Sequence, residues 1–212
     1  MSVRLAILLS GRGSNMLALV EACRAGVLRG VCEPCLVLSS DPEASGLDRA
    51  AALGVPTIAL PARGLGRAAY DEALAEALAP FEPDCIALAG FMRILGPRVL
   101  SRWAGRVVNI HPADTRQHQG LHGYAWAWER RLAETAVTVH LVDAGLDTGP
   151  ILAQRAVDLR GVGSLEEVEA RGLAVEHEVY AEALRDLLGD TVGNGDGDGD
   201  GNVDAQKRRE DD

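Results

Sequence analysis

The chain is punctuated by short, predominantly apolar runs, Val3 to Leu9, Leu36 to Leu38, Cys85 to Ala89, Val107 to Ile110 and Val137 to Val142, each bounded by turn-forming residues. Segments with helical spacing lie between them: Met16 to Ala25, Gly46 to Leu53 and Arg67 to Leu78. A strand with one solvated face alternates apolar and polar residues, whereas a strand covered on both faces is nearly continuously apolar. Runs of the second kind, alternating with helices, predict an α/β domain whose mostly parallel, twisted sheet is covered by helices on both faces. At 212 residues, 47% of them hydrophobic, the chain is long enough for one substantial core and too short for two ordinary domains. One site is therefore sought.

The last helical pattern covers Glu166 to Leu188, with Ser164 as N-cap and Glu167 three positions on completing a capping box. From Asp190 the composition shifts to glycine and acid, leaving almost no apolar surface whose burial would offset the entropy of ordering. The expected boundaries are a catalytic domain over residues 1–189 and a disordered acidic tail over 190–212. Within that tail Asp196, Asp198, Asp200 and Gly201 match the first half of a calcium loop. Lys207 stands where the loop needs a bidentate Glu, so calcium is not expected.

A formal charge of −10 argues against nucleic acid or an anionic membrane surface as partner, because both are gripped by clustered Lys and Arg. The opening apolar stretch, Leu5 to Leu9, is too short for a membrane span or a signal peptide, which points to a cytoplasmic protein. Cys23, Cys32, Cys35 and Cys85 do not suggest a disulfide framework in such a compartment. Cys32 and Cys35 have the spacing of half a zinc site, but no second pair follows, and no metal is expected.

Three segments carry chemistry. The first strand runs into Ser10-Gly11-Arg12-Gly13-Ser14-Asn15 and then a helix, a turn whose outward amides and helix dipole suit an anion. It lacks the third glycine of a dinucleotide fingerprint and the Lys of a P-loop, while Ser14 and Asn15 add side-chain donors suited to a single phosphate. A second segment, Asn109-Ile110-His111-Pro112, ends a strand, where ligands of parallel α/β sheets bind. Its Asn can donate to a developing oxyanion and its His can carry a proton near neutral pH. The third segment, Val139 to Pro150, is again a strand entering a glycine-rich loop, and it holds two acids, Asp143 and Asp147, either of which can pair with His111.

Taken together, the turn Gly11 to Asn15, the run Ala89 to Leu95, the segment Asn109 to Pro112, Gly120-Leu121-His122, Val139 to Pro150 and the pair Glu176-His177 resemble, in order and spacing, the glycinamide ribonucleotide transformylase family of folate-dependent formyltransferases. The resemblance covers about residues 3 to 188. It implies a single Rossmann-like domain, 10-formyltetrahydrofolate as co-substrate, no metal, and transfer of the formyl group to the primary amine of glycinamide ribonucleotide. It also implies small-molecule partners only and a monomer or homodimer. By the same resemblance Asn109, His111 and Asp147 match the catalytic trio, Gly13, Ser14 and Asn15 hold the substrate phosphate, and Glu176 binds the ribose hydroxyls. Met92, Arg93, Ile94 and Leu95 line the pterin pocket, and His140 has a supporting role.

Two departures bear on the acceptor. After Pro112 the chain reads Ala113-Asp114-Thr115-Arg116-Gln117-His118-Gln119, a polar loop where the family has an apolar, proline-stiffened one, and Leu173 stands where a phosphate-side Lys or Gln is usual. Arg116 is the candidate replacement phosphate donor, since guanidinium binds phosphate bidentately. Two alternatives follow: the same folate donor with a different amine, or a 10-formyltetrahydrofolate hydrolase. Related hydrolases carry a regulatory domain before the first strand and initiator-tRNA formyltransferases a further C-terminal domain, neither of which is expected here.

Overall fold

Among the described residues, seven strands form one sheet in the order β3-β2-β1-β4-β5-β6-β7. The computed structural model describes residues 2–193. In chain order the elements are β1 (Val3–Leu9), α1 (Ser14–Ala25), β2 (Cys32–Ser39), α2 (Ser45–Ala52), β3 (Thr57–Ala59), α3 (Arg67–Leu78), β4 (Cys85–Leu88), α4 (Pro97–Arg102), β5 (Val107–His111), α5 (Gly123–Glu129), β6 (Glu134–Leu141), β7 (Ile151–Asp158) and α6 (Leu165–Gly193). Strands β1 to β5 pair in parallel, while β6 runs antiparallel to β5 and β7 antiparallel to β6.

Strand alternation sorts the interior into two cores. On β1, Leu5, Ile7 and Leu9 enter one cluster and Ala6 and Leu8 the other, and β4 divides Cys85 and Ala87 from Ile86 and Leu88 in the same way. Helices α1, α2, α5 and α6 close the first core through residues such as Met16, Ala50, Ala127 and Leu184, whereas α3 and α4 close the second through Leu74, Leu78 and Val99. Truncating a fully buried leucine such as Leu74 to Ala would cost about 2–5 kcal/mol, which is the scale on which each helix is fixed to the sheet. The paired cysteine spacing is split by this geometry: Cys32 lies in the first core with its Sγ 3.5 Å from that of Cys23, and Cys35 lies in the second.

Helix α6 begins as its sequence suggests, with Ser164 Oγ accepting from the Glu167 N–H at 3.3 Å. The Glu167 carboxylate reaches back one residue further than a capping box requires, to the Gly163 N–H at 2.7 Å. The helix continues to Gly193, four residues into the segment 190–212 expected as an acidic tail; the rest of that segment, with its calcium-loop resemblance, lies outside the described residues. Among the described residues no helix is long and apolar enough to cross a membrane.

The strand order reverses direction between β1 and β4, so the connections leaving their carboxyl ends diverge and leave a crevice. The turn after β1 and the run after β4 face that crevice, joined by Ser10 N–H donating to the Gly90 carbonyl at 3.0 Å and Met92 N–H to Ser10 Oγ at 2.9 Å.

Candidate active site

One side of the crevice is the turn from β1 into α1. Gly13 occupies the N-cap position of α1 with φ 74°, a left-handed conformation that glycine adopts without steric cost. A Cβ at Gly13 would lie 3.1 Å from the Gly46 Cα, and Gly46 itself donates its N–H to the Gly11 carbonyl at 3.1 Å. The two glycines thus press α2 against the turn. No side chain caps α1 and no acid lies in its first turn, so neither Ser14 nor Asn15 acts as a cap. The leading amides and the positive end of the helix dipole are left for an anion.

The Asn15 side-chain amide is engaged within the protein, while its backbone N–H, in the first turn of α1, is one of the amides left for an anion. Its amide Nδ2 donates to Glu176 Oε2 at 2.5 Å, and the other carboxyl oxygen accepts from the Tyr124 hydroxyl. Glu176 on α6 is only 5% exposed. Burial pushes its carboxyl pKa up, opposed by the bonds from Tyr124 and Asn15. Burial, with the Glu176 charge behind it, also raises the Tyr124 hydroxyl. Tyr124 escaped the sequence reading because nothing local marks it: its partner is 52 residues away.

At the centre, Asn109 and His111 are two residues apart on β5 and so project to the same face of the sheet. The antiparallel partner β6 sets His140 directly opposite Asn109. The loop after β6 then returns Asp147 to these side chains, with Asp147 Oδ2 at 3.4 Å from His111 Nδ1 and Oδ1 at 3.5 Å from His140 Nε2. The Asn109 amide donates to Asp147 Oδ1 at 3.2 Å and lies 3.2 Å from His140 Nε2. Asp147 has φ 52°, a conformation that costs a non-glycine residue about 1–2 kcal/mol. The competing acid, Asp143, is exposed and closes its own loop by accepting from Gly145 N–H and Thr148 Oγ1.

Burial holds the His111 pKa below its ordinary value, outweighing the Asp147 charge and the His118 carbonyl, which favour the charged ring. For Asp147, burial alone would raise the carboxyl; His140, the Gly120 N–H and the His111 ring overcome it and hold the pKa below the usual range. A ring left neutral beside a carboxylate that stays ionised is free to take up a proton as an imidazolium that the carboxylate charge stabilises.

The polar loop at 113–119 has a part in this arrangement. His111 Nε2 meets the His118 carbonyl at 3.0 Å, and Gly120 N–H donates to Asp147 Oδ2 at 2.9 Å. The first contact uses a backbone carbonyl of the loop, which any side-chain sequence can supply; the second comes from Gly120 just past it, whose φ of 85° favours glycine. Arg116 is not brought to the α1 turn: its guanidinium is held by Asp114 at 2.9 Å and by Gln154 Oε1 at 2.6 Å. Leu173 is half-buried on α6.

The other side of the crevice is the run after β4. Phe91 and Leu95 are buried anchors, while Met92 and Ile94 are 61% and 52% exposed. Arg93, Ile94 and Leu95 line a cleft together with Asn109, His140, Val142, Leu146 and Asp147, so the exposed apolar side chains adjoin the polar centre. The run ends where the buried Asp71 of α3 accepts from the N–H groups of Gly96 and Arg98, both at 2.8 Å, capping α4. Asp71 is a second supporting residue that sequence reading missed, being 25 residues from Gly96.

The family described as Formyl transferase matches residues 3–184. The chain is 37% identical over 179 residues to the phosphoribosylglycinamide formyltransferase of Escherichia coli (strain K12), covering 84% of each chain. It is 33% identical over 187 residues to that of Bacillus subtilis (strain 168), covering 88% of this chain and 95% of the relative. The crystal structure of phosphoribosylglycinamide formyltransferase from Bacillus halodurans has the same fold with a TM-score of 0.83 at 36% identity, covering 89% of this chain and 96% of that one. On a family match spanning nearly the whole described domain, and on relatives of this similarity and coverage, the chain belongs to the formyl transferase family.

Proposed function

We propose that the chain is a phosphoribosylglycinamide formyltransferase that moves the formyl group of 10-formyltetrahydrofolate to the primary amine of glycinamide ribonucleotide. The observation that carries this reading is the meeting of Asn109, His111 and Asp147 between an uncapped helix N-terminus on one side and the apolar cleft of Ile94 and Leu95 on the other. The turn amides with Ser14 would take the phosphate, which places the amine of a short acceptor toward the trio. The cleft beside Met92, Arg93, Ile94 and Leu95 would take the flat heterocycle of the folate.

Formyl transfer needs a donor to the carbonyl oxygen as the amine attacks, a base for the proton the nitrogen then sheds, and an acid for the departing folate nitrogen. Asn109 supplies the donor; its two amide hydrogens rest on Asp147 and His140, and the substrate oxygen competes for one of them. His111, kept neutral by burial, accepts a proton, and the adjacent Asp147 stabilises the imidazolium so formed. The same proton returns to the folate nitrogen as its bond to the formyl carbon breaks, so the pair is regenerated.

The test is absorbance-monitored conversion of 10-formyltetrahydrofolate by the wild type and Asp147→Asn, with and without glycinamide ribonucleotide. The expected result is turnover that requires the ribonucleotide and falls by about 10²–10⁴ in the variant, the range for losing an acid-base group. Turnover without acceptor would replace this reading with a hydrolase, and turnover supported only by another amine would change the acceptor.

A further inference from the structure

Between α5 and α6 a tyrosine occupies space that only glycine leaves open. A Cβ at Gly172 would overlap the Tyr124 ring, so the ring lies directly on the α6 backbone one turn before Glu176. From that seat the Tyr124 hydroxyl donates to one Glu176 oxygen, and Asn15 Nδ2 donates to the other. An ionised carboxylate only accepts, which fixes which end of the Asn15 amide faces it. The opposite end, Asn15 Oδ1, is buried and has no partner among the described residues, in a residue only 8% exposed. A buried acceptor without a donor is costly in the free protein and is explained by a ligand that supplies one.

A phosphate is the wrong ligand for that atom, because its oxygens also only accept. A hydroxyl is the right one. Each Glu176 oxygen retains a further lone pair, so Glu176 and Asn15 Oδ1 form a row of acceptors with the Asn15 amide nitrogen between them. We propose that Tyr124, seated on Gly172, is a positioning residue of the acceptor site: it fixes Glu176 and, through Glu176, the Asn15 amide, so that this row receives the hydroxyls of the acceptor's sugar. The inference rests on the reading that the acceptor is a phosphoribosyl amine, and it adds to that reading a hydroxyl contact at Asn15 Oδ1 and a role for Tyr124 and Gly172.

Steady-state kinetics of Tyr124→Phe with glycinamide ribonucleotide and with its 2′,3′-dideoxy analogue test it. The expected result is an acceptor KM about tenfold higher, as for a lost hydrogen bond to a charged group, with kcat and folate KM unchanged, and no such difference between wild type and variant with the dideoxy acceptor. An unchanged acceptor KM, a parallel rise in both KM values, or an equal penalty with the dideoxy acceptor would overturn it. Should Tyr124→Phe lose its fold, Asn15→Leu with the same two acceptors reads the hydroxyl contact directly, and a preference for the diol equal to that of the wild type would overturn the proposal. A wild type inactive with the ribonucleotide would instead strike the acceptor reading itself.

Discussion

Asn109 and His140 stand directly opposite each other across the β5–β6 ladder, with the Asn109 amide 3.2 Å from His140 Nε2. His140 Nδ1 donates to the Leu141 carbonyl at 2.8 Å, which fixes the ring with Nε2 facing the Asn109 amide and Asp147 Oδ1. His140 therefore aims an amide that it does not itself replace. His140→Ala is expected to lower kcat about tenfold, the worth of one positioned neutral hydrogen bond, with little change in acceptor KM. Initial rates at saturating folate decide it; an unaltered kcat removes the positioning role.

The His111 and Asp147 shifts have the same sign in pH. With the folded His111 pKa below that of an unfolded histidine, near about 6.5, the unfolded chain takes up the proton first, so stability falls as pH drops below about 7. Asp147, also depressed, contributes stability above the ordinary carboxylate pKa that is lost on further acidification. Thermal unfolding between pH 8 and pH 5 is expected to show a wild-type Tm that declines more steeply than that of His111→Asn. Parallel curves would mean that His111 titrates like an unfolded histidine.

Asp71 links α3 to the folate side of the crevice. Asp71→Ala leaves the Gly96 and Arg98 N–H groups without partners, one of them fully buried, and is expected to cost about 1–3 kcal/mol, seen as a Tm lower by several degrees. Because the freed segment follows Leu95, folate KM should rise several-fold while acceptor KM holds. Equal shifts of both constants would show that the loss is only global.

Gly13→Ala is a test on the opposite side. The φ of 74° costs an alanine about 1–2 kcal/mol, and the added methyl would press on Gly46. The expected signature is a higher acceptor KM with folate KM unchanged, read from the same rate assays; unchanged acceptor KM would mean that the turn holds no phosphate.

Much of this was legible because it is written locally. Strands β1 and β4, buried on both faces, announced themselves as apolar runs, α3 matched its periodic segment from Arg67 to Leu78, and the two-residue spacing of Asn109 and His111 forces them onto one face. What stayed hidden depends on partners distant in sequence. The run at Val137 reads the same whichever way its strand points, so the antiparallel β6 that sets His140 against Asn109 was not foreseen. Edge strand β7 was missed because Gln154, Arg155 and Asp158 break its apolar pattern. The Asn15 side chain reads locally as a free donor, and only the fold brings Glu176, 161 residues away, to its amide.

The two halves of the proposed site differ in their separation along the chain. Asn109 and Asp147 are 38 residues apart and lie in one contiguous stretch. The proposed acceptor pocket joins Asn15 in α1 to Glu176 in α6, 161 residues apart, and requires the packing of α6 against α1. The same helix closes the first core, and its Tyr180 hydroxyl donates to the carbonyls of Leu88 in β4 and Val108 in β5, so a chain shortened before α6 would lose the support of the central strands together with Glu176.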